Sequence, residues 1–333
     1  MHAVDEEVIG KVRAWLEAGS NCWLATVIGT WGSSPRPVGS LLACDPDGHI
    51  VGSLSGGCVE DDLLEKLTNG ELAKDEAQFF TYGVSDEESE KFGLPCGGSL
   101  RIVIEPLQPD EDTRTHIEQL TTALVERRHV RRTVDLNTQV KLTLDADGYA
   151  PLEWDEDAQR LIHTYGPQQQ LFIIGAGMVS QYLASMAQNL DYAITVCDPR
   201  QQMLDDFPVE GINRVCDMPD DAIRAMASDA SSAIVALTHD PRIDDMGLME
   251  ALKTEAFYVG ALGSTRTSAK RRERLKELDL SDAELDRLHA PVGLPIGSKT
   301  PPEIAVAILA EITAVKAGVK SQATERLAAL SVG

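Results

Sequence analysis

The stretch Gln170-Leu171-Phe172-Ile173-Ile174-Gly175-Ala176-Gly177-Met178-Val179-Ser180 decides the fold of the second half of the chain. It begins with a short apolar run, as expected of a strand that is buried on both faces of a parallel sheet. Gly175 and Gly177 then permit a tight turn that a ligand can approach closely, and a helical pattern follows through Leu190. Strand, turn and helix in this order predict the first unit of a Rossmann-like α/β domain.

Two positions near this unit bear on what it binds. The next predicted strand ends at Asp198, 23 residues after Gly175. This is close to the spacing of about 20 residues at which dinucleotide-binding folds place the acid that binds a ribose hydroxyl. Ser180 stands in the third glycine place of the G-x-G-x-x-G pattern, where a small residue allows the helix to pack on the strand. Arg200 follows Asp198 by two positions, so the sequence does not exclude a cofactor with a phosphate on its ribose. We therefore expect Gly175, Gly177 and Asp198 to bind a cofactor.

Two later strands are predicted to bring polar residues to the same edge. Apolar runs cover residues 233–237 and 257–261, and a helical pattern follows each of them. Ligands of open parallel sheets bind outside the carboxyl ends of the strands. The candidate ligand contacts at these ends are Thr238, His239, Gly263 and Ser264. The helix predicted over 265–278 is strongly basic, which fits either a surface for an anionic ligand or partner or a solvated helix face.

The first half of the chain carries a cysteine turn, Ser53-Leu54-Ser55-Gly56-Gly57-Cys58-Val59-Glu60. Cys58 follows the two glycines at the start of a predicted helix, where the helix dipole favours an anion and the thiolate form of cysteine. Glu60 and the two acids after it oppose this effect by placing negative charge near the thiol. The turn is a candidate site through Ser55, Gly56, Gly57 and Cys58, and the alternative is a structural turn.

A second cysteine turn, Cys96-Gly97-Gly98, has the reverse residue order and precedes a strand predicted over 100–104. If both turns lie at one edge of a sheet, Cys58 and Cys96 can face one pocket. The alternative is that both are buried core cysteines, which are common in proteins.

A loop over residues 29–40 is the third candidate in the first half. Its two prolines and three glycines exclude a regular helix or strand. Ser34, Arg36 and the backbone N–H groups around them can hold an anion. The alternative is a long hairpin loop without a binding function.

The pattern as a whole predicts an α+β domain over residues 1–107, a connecting α+β segment over 108–167, the Rossmann-like parallel-sheet domain over 168–318 and a tail over 319–333. Residues 151–166 are mixed and polar and are assigned to the connecting layer. Thr300 and Glu303 form the pattern of a capping box at the start of the last long helix. The predicted fold class is α/β for the second half and α+β for the first.

Composition limits the function classes. The chain has 333 residues, 43% hydrophobic and 25% charged, and its formal net charge is −23. Such an acidic chain is a poor partner for nucleic acid or for an anionic membrane. The sequence begins without a signal-peptide pattern, so we expect a cytoplasmic protein. The six cysteines form no CxxC pair, so a structural zinc site has little support, and a disulfide framework is not expected in a long cytoplasmic chain.

Taken together, these motifs resemble the XdhC/CoxI family of molybdenum-enzyme maturation factors. The resemblance runs from residues 30–37 through the Cys58 turn, Cys96-Gly97-Gly98 and Gly175-Ala176-Gly177 to residues 289–305. It implies an N-terminal XdhC/CoxI domain and a C-terminal Rossmann-like domain. Cys58 and Cys96 fall on the family's cysteine motifs, and this makes them the candidate catalytic residues and molybdenum ligands. Whether they ligate molybdenum, carry sulfur or only shape the pocket is left open.

The resemblance also implies a role and partners. The protein would bind molybdenum cofactor (molybdopterin), support its sulfuration with a cysteine desulfurase as sulfur source, and deliver it to an apo molybdenum hydroxylase of the xanthine dehydrogenase type. A homodimer is expected from the same resemblance. The cofactor-binding candidates in the first half are then Ser34, Arg36, Ser55, Gly56 and Gly57.

Two other classes of function remain open from the sequence. The Gly175 turn with Asp198 fits an NAD(P)-dependent oxidoreductase, although His239 is the single clear candidate for a hydride-transfer acid. A binding module that senses redox state through Cys58 would also explain the cysteine turn. Whether the chain is an enzyme or a cofactor chaperone is undecided at this point, with the chaperone favoured.

Overall fold

The structure is a computed structural model that describes residues 3–31, 36–83, 99–146, 150–238 and 240–318. The chain divides into two compact units, residues 1–167 and residues 168–333. Residues 108–167 belong to the first of these units. The sequence-based boundaries at 107 and 318 stay predictions.

The first unit combines three helices and nine strands within the described residues. In chain order they are α1 (Ala3–Glu17), β1 (Cys22–Trp31), β2 (Leu41–Cys44), β3 (Ile50–Gly52), α2 (Cys58–Thr68), β4 (Gln78–Tyr82), β5 (Ser99–Leu107), α3 (Glu111–Val125), β6 (His129–Asp135), β7 (Lys141–Ala146), β8 (Glu153–Asp155) and β9 (Arg160–Tyr165).

An antiparallel sheet in the order β3-β2-β1-β5-β4 forms the centre of the first unit. Helix α2 packs on one face through Val59, Leu63 and Leu67. Helices α1 and α3 pack on the other face, where the spacing of Val8, Val12 and their neighbours gives α1 its apolar side. Since β1 and β5 have buried residues on both faces, they read as near-continuous apolar runs in the sequence.

A second antiparallel sheet has the order β7-β6-β9-β8. It contains the two strands that lie within residues 151–166, which the sequence had assigned to a polar connecting layer. Strand β9 escaped prediction because polar residues, His163 and Thr164, are buried beside apolar Leu161 and Tyr165. Polar residues in buried positions remove the alternation that marks a half-exposed strand.

The second unit is a doubly wound α/β fold. Its elements are β10 (Gln170–Ile174), α4 (Met178–Gln188), β11 (Ala193–Cys197), α5 (Gln201–Asp205), β12 (Asn213–Val215), α6 (Pro219–Met226), β13 (Ser232–Ala236), α7 (Pro241–Ala251), β14 (Tyr258–Ala261), α8 (Thr265–Glu277), α9 (Asp282–Asp286), β15 (Leu288–His289) and α10 (Pro301–Lys316).

The six described strands of this unit are parallel and follow the order β12-β11-β10-β13-β14-β15. This is the order of a dinucleotide-binding sheet, with its topological switch point at β10. Buried apolar residues cover both faces of the sheet. The predicted capping box is present, since Glu303 accepts the Thr300 N–H at 2.9 Å. The predicted fold class, an α+β first half and a Rossmann-like second half, is confirmed.

None of the helices in the described part of the chain combines the length and the apolar composition needed to cross a bilayer.

Candidate functional site

The connections that carry the predicted site residues of the first unit leave the five-stranded sheet at one end. Strand β1 ends at Trp31, which pairs with Ser99 at the start of β5. Strand β4 ends at Tyr82, which pairs one position further along β5. Strand β3 ends at Gly52, beside the start of β2. The β1–β2, β4–β5 and β3–α2 connections therefore share this end of the sheet.

These three connections contain the sequence-predicted candidates. The β1–β2 connection holds Ser34 and Arg36, the β4–β5 connection holds Cys96, and the β3–α2 connection leads into Cys58. Ser34 and Cys96 lie outside the described residues. Arg36 is half-buried, and Cys58 is the first residue of α2.

The main chain before Cys58 adopts a conformation that glycine favours. Gly56 and Gly57 have φ angles of 97° and 147°, both in the left-handed region. Both glycines are exposed, and a Cβ atom built on Gly57 would meet nothing within 4 Å. The glycine at position 57 is thus required by the backbone conformation and not by crowding.

Glu60 closes this turn with its side chain. The Oε1 atom accepts the N–H groups of Leu54 and Ser55, each at 2.9 Å, and of Gly56 at 3.2 Å. The Oε2 atom accepts the Gly57 N–H at 3.0 Å. The hydroxyl groups of Ser53 and Ser55 donate at 2.8 and 2.6 Å.

The Glu60 carboxylate is buried, with 7% of the residue exposed. Burial alone would raise the pKa of Glu60, but the hydrogen bonds from Ser55, Ser53 and Leu54 outweigh it and lower the pKa to about 2. The side chain is therefore a carboxylate at neutral pH. The backbone N–H groups of the turn, which the sequence assigned to an anionic cofactor, already have an internal anion as partner.

Arg101 is a cation at this end of the sheet that the sequence reasoning missed. It lies on β5 opposite Gly29, with its guanidinium 5.1 Å from the centre of the Phe79 ring. Its Nη2 atom donates to Glu156 at 2.9 Å. A lone basic residue inside the apolar run 100–104, shortly after Cys96-Gly97-Gly98, was the signal that could have identified it.

A possible metal-ligand cluster, Asp45, Asp47 and His49, lies in the β2–β3 hairpin. Hydrogen bonds within the turn account for the positions of these side chains. Asp45 accepts the N–H groups of Asp47 and His49, each at 3.0 Å, and its second oxygen lies 2.8 Å from the His49 ring. We assign no metal to it.

In the second unit, the turn after β10 approaches the end of β13. Gly175 has a φ of 99°, and a Cβ atom there would lie 2.6 Å from Thr238 Cγ2. Gly177 begins α4 as its N-cap, and a Cβ atom on it would meet nothing within 4 Å. Gly175 is therefore needed by the fold, whereas the space in front of Gly177 is open to a ligand.

The structure brings Asp198 to the same turn, where its carboxylate is already bonded. It accepts the Ala176 N–H at 2.9 Å and two hydrogen bonds from the Arg200 guanidinium, both at 2.8 Å. Burial would raise the pKa of Asp198, but the bonds from Arg200 and Ala176 lower it. A ribose hydroxyl could bind Asp198 only beside or in place of Arg200, whose side chain is 56% exposed.

Hydrogen bonds of Ser180 and Thr238 stabilise the turn after β10 and the end of β13. The Ser180 hydroxyl donates to the Gly175 carbonyl at 2.6 Å, so serine fits the third glycine place through a hydrogen bond. Thr238 donates to Asp244 through its hydroxyl at 2.8 Å, and Asp244 pairs with the buried Arg271 at 2.8 Å. His239, predicted beside Thr238, lies outside the described residues.

The predicted cradle at Gly263 and Ser264 follows β14. The Ser264 hydroxyl accepts the Thr267 N–H at 3.1 Å and so caps helix α8. Much of the predicted basic stripe of this helix is paired inside the protein. Arg271 is buried against Asp244 and Asp245, and Arg274 also pairs with Asp245. These arginines hold α8 to α7.

Two family models match the chain. The model described as the XdhC and CoxI family matches residues 15–83, and the model described as the XdhC Rossmann domain matches residues 171–312.

Two curated relatives cover most of the chain. One is a probable xanthine dehydrogenase subunit of Bacillus subtilis, 26% identical, with 90% of this chain and 94% of the relative covered. Another is the molybdenum cofactor insertion chaperone PaoD of Escherichia coli, 27% identical, with 90% of this chain and 85% of the relative covered.

A solved structure has the same fold. The crystal structure of a xanthine dehydrogenase from Bacillus halodurans superimposes with a TM-score of 0.69 at 26% identity, and the match covers 94% of this chain and 97% of that one.

Proposed function

Because the chain belongs to the XdhC and CoxI family, we propose that it binds molybdenum cofactor and serves the maturation of a molybdenum hydroxylase of the xanthine dehydrogenase type. The relative named as a molybdenum cofactor insertion chaperone supports cofactor handling, and the Bacillus subtilis relative, named for xanthine dehydrogenase, supports the class of client. The proposed role is that of a chaperone for a cargo cofactor.

The observation that carries this proposal is the shared sheet end in the first unit. The connections to Cys58 and Cys96 and the loop with Ser34 and Arg36 all start from it. The cargo is an anionic pterin dithiolene phosphate that carries a metal. Thiols are soft ligands suited to such a metal, and guanidinium groups suit its phosphate. Cys58 and Cys96 are proposed for the metal side, and Arg36 and Arg101 for the anionic side.

The Cys58 turn is proposed to present the cysteine and not to bind the phosphate. This assignment is supported by Glu60, which already accepts the N–H groups of Ser55, Gly56 and Gly57. A phosphate would have to displace a buried carboxylate that is ionised at neutral pH.

The Rossmann-like unit is proposed to bind a phosphate-bearing group at its Gly177 turn. The open space in front of Gly177 and the exposed part of Arg200 support this. Gly175, Thr238, Gly263 and Ser264 are proposed to shape the crevice, with His239 and Asp198 as further polar contacts. A nicotinamide dinucleotide is the second candidate ligand, which the strand order of the sheet favours.

Further steps of the role extend this proposal. They are sulfuration of the cofactor with a cysteine desulfurase as sulfur donor, delivery to the apo hydroxylase, a cytoplasmic location and a homodimeric state. Each has its own measurement, of which sulfide transfer to the bound cofactor and the mass of the protein in solution are the most direct.

The central experiment measures pterin and molybdenum per chain in protein made in a host that synthesises the cofactor. We expect the wild-type protein to retain the cofactor. The variants Cys58→Ala and Cys96→Ala should each lose most of the bound cofactor, or most of the ability to activate an apo hydroxylase. Cys216→Ala is the matched control, because Cys216 is an exposed cysteine of the second unit. Full cofactor content and full activation in both variants would remove the cysteines from the mechanism.

The oxidoreductase alternative is tested separately by calorimetric titration with NAD(H) and NADP(H) and by absorbance at the nicotinamide band. Binding with turnover of a substrate would favour that alternative. Binding without turnover would leave the chaperone role and identify the ligand of the Rossmann-like unit.

A further inference from the structure

The tripeptide Asp-Pro-Arg occurs twice in the second unit, at residues 198–200 and 240–242. The first copy directly follows β11, and the second follows β13 after a short connection. Strands β11 and β13 are the two parallel neighbours of β10. The two copies therefore stand on either side of the glycine turn after β10, at the topological switch point of the sheet.

In both copies the arginine side chain folds back on the aspartate with the same hydrogen bonds. Asp198 Oδ1 accepts the backbone N–H of Arg200 at 3.0 Å and its Nε–H at 2.8 Å, and Oδ2 accepts Nη2–H at 2.8 Å. Asp240 accepts the corresponding three bonds from Arg242, at 3.0, 3.1 and 2.8 Å. Each aspartate thus fixes the direction of one guanidinium group at the edge of the sheet.

Both guanidinium groups are open to a ligand. The side chain of Arg200 is 56% exposed and that of Arg242 is 89% exposed. Their ion pairs occupy Nε and Nη2, so the N–H groups of Nη1 have no hydrogen bond to the described residues. Exposed ion pairs contribute little to stability, and a phosphate can therefore share or replace the aspartate as partner of the arginine.

The charges of the two copies act on one another. The pKa of Asp240 is lowered to about 2, first by the hydrogen bonds from Arg242 and further by the charge of Arg200. The pKa of Arg200 is raised by its hydrogen bond to Asp198 and further by the charge of Asp240. Because charge interactions across water weaken with distance, the two copies lie near enough to contact one ligand.

The glycine turn between the copies touches both sides. The Ala176 N–H donates to Asp198 at 2.9 Å, and a Cβ atom on Gly175 would lie 2.6 Å from Thr238, shortly before the second copy. In front of Gly177 a Cβ atom would meet nothing within 4 Å. The open space at the turn is thus flanked by one arginine from each copy.

Resting on the phosphate site proposed at the Gly177 turn, we propose that Arg200 and Arg242 form a two-sided clamp for a diphosphate group. Each guanidinium binds the oxygens of one phosphate, because its planar donors match a phosphate in a paired geometry. A monophosphate can engage only one arginine fully. The clamp therefore selects a nucleoside diphosphate or a dinucleotide over a phosphate monoester.

The test is calorimetric titration of the cofactor-free full-length protein with ADP, AMP and pyrophosphate. We expect the wild type to bind ADP at least about tenfold more tightly than AMP, and pyrophosphate to compete with ADP. Arg200→Gln and Arg242→Gln should each weaken the binding of ADP about tenfold and that of AMP less, so that the ratio of the two affinities falls towards one.

Two further variants separate the clamp from general effects of charge and folding. Arg224→Gln removes an arginine of similar exposure, 58%, that pairs with Asp221 and Glu250 in the same unit, and it should bind ADP as the wild type does. Arg242→Lys keeps the charge but lacks the planar fork, and its affinity should lie between those of the wild type and Arg242→Gln. Both variants at position 242 keep the backbone N–H that Asp240 accepts, so α7 retains its cap.

Three results would overturn the clamp: no binding of ADP or pyrophosphate by the wild type, equal wild-type affinity for ADP and AMP, or ADP affinity in both glutamine variants equal to that of Arg224→Gln. Titration with NAD(H) and NADP(H) separates a nicotinamide dinucleotide from other diphosphate ligands, and weaker binding in the same two variants supports the clamp in either case. Unaltered cofactor content in Cys58→Ala and Cys96→Ala would instead overturn the role proposed for the cysteines, and the result for the clamp would stand.

Discussion

Arg132 on β6 donates two hydrogen bonds to Glu105 on β5, at 2.8 and 2.7 Å, and so joins the two sheets of the first unit through a pair that is almost fully buried. Arg132 also donates to His116 at 2.8 Å. Burial would raise the pKa of Glu105, but the charge of Arg132 outweighs it and lowers the pKa to about 2. Burial and the same arginine lower the pKa of His116 to about 4, so this histidine is neutral.

Removing one member of this pair is predicted to be costly. Arg132→Met should lower the free energy of unfolding by about 3–5 kcal/mol, because it leaves a buried carboxylate whose remaining ion pair is with Lys141, 3.6 Å away. The double variant Arg132→Met with Glu105→Leu should lose much less. Urea unfolding of the full chain measures both. Arg131→Met, which breaks an exposed pair with Glu153 on the second sheet, should cost under about 1 kcal/mol. Equal losses in the single and double variants would contradict the prediction.

Acid should weaken the first unit partly through Glu60. Its folded pKa of about 2 lies below the value of an unfolded glutamate, so the unfolded chain binds the proton first as the pH falls. The stabilisation is complete above about pH 4.5 and is lost as the pH falls towards 2. Urea midpoints at pH 7, 4 and 3 should fall more steeply in the wild type than in Glu60→Gln. Asp61→Asn should retain the wild-type slope, and a wild-type slope in Glu60→Gln would refute the assignment.

The two glycines after β10 should respond differently to alanine. Gly175→Ala should lower the free energy of unfolding by about 2–4 kcal/mol, since it forces a positive φ on a residue with a Cβ and a contact of 2.6 Å with Thr238. Position 177 has an ordinary φ angle and free space for a Cβ atom, so Gly177→Ala should leave the free energy of unfolding unchanged. The added methyl group should weaken the binding of any ligand at the turn. Thermal unfolding and ligand titration separate the two effects. A marked loss of stability in Gly177→Ala would count against this account.

We predict that the Arg101 guanidinium leaves the Glu156 carboxylate when it binds the anionic side of the cofactor. We expect Arg101→Gln to lower the amount of pterin retained by purified protein, and Glu156→Gln to raise it, because the competing carboxylate is removed. Arg131→Gln, which alters a comparable exposed arginine of the second sheet, should have little effect. Identical pterin contents in all three variants would exclude Arg101 from binding.

Glu311 should control the loop after β15. Its carboxylate accepts the Tyr258 hydroxyl at 2.5 Å and the Gly293 N–H at 2.7 Å, and lies 3.2 Å from the His289 ring. Glu311→Gln should cost about 1–3 kcal/mol and speed hydrogen exchange at the Gly293 amide, because the neutral amide accepts more weakly and adds donors. Tyr258→Phe removes one of these bonds and should raise exchange at Gly293 less. Unchanged exchange in Glu311→Gln would show that the loop is held by other contacts.

The parts of this fold that sequence could predict are those that follow local rules. The strand, the glycine turn and the acid from 170 to 198 each have a local signature, and the Thr300 cap likewise depends on neighbouring residues. The ion pair between Arg132 and Glu105 could not be predicted from the sequence, because its two residues lie on different sheets that meet only in the folded chain. Strand β9 was missed because its buried residues are partly polar.

The candidate site was predicted in part for a similar reason. Sequence identified the cysteine turn and the acidity around it, but it treated Glu60 only as a negative charge near the thiol. Its actual contacts depend on the φ angles of Gly56 and Gly57, which bring the N–H groups round to one point. Cys96, Ser34 and His239 fall outside the described residues and stay predictions.

The hydrogen bond from Ser180 to the Gly175 carbonyl has a consequence for recognising distant relatives. A search pattern that insists on glycine at that place would discard this chain, although a hydroxyl there meets the same steric demand and adds a tether between helix and strand. Patterns that admit serine wherever its oxygen can reach back to the first glycine should recover nucleotide-type domains that glycine-only patterns overlook.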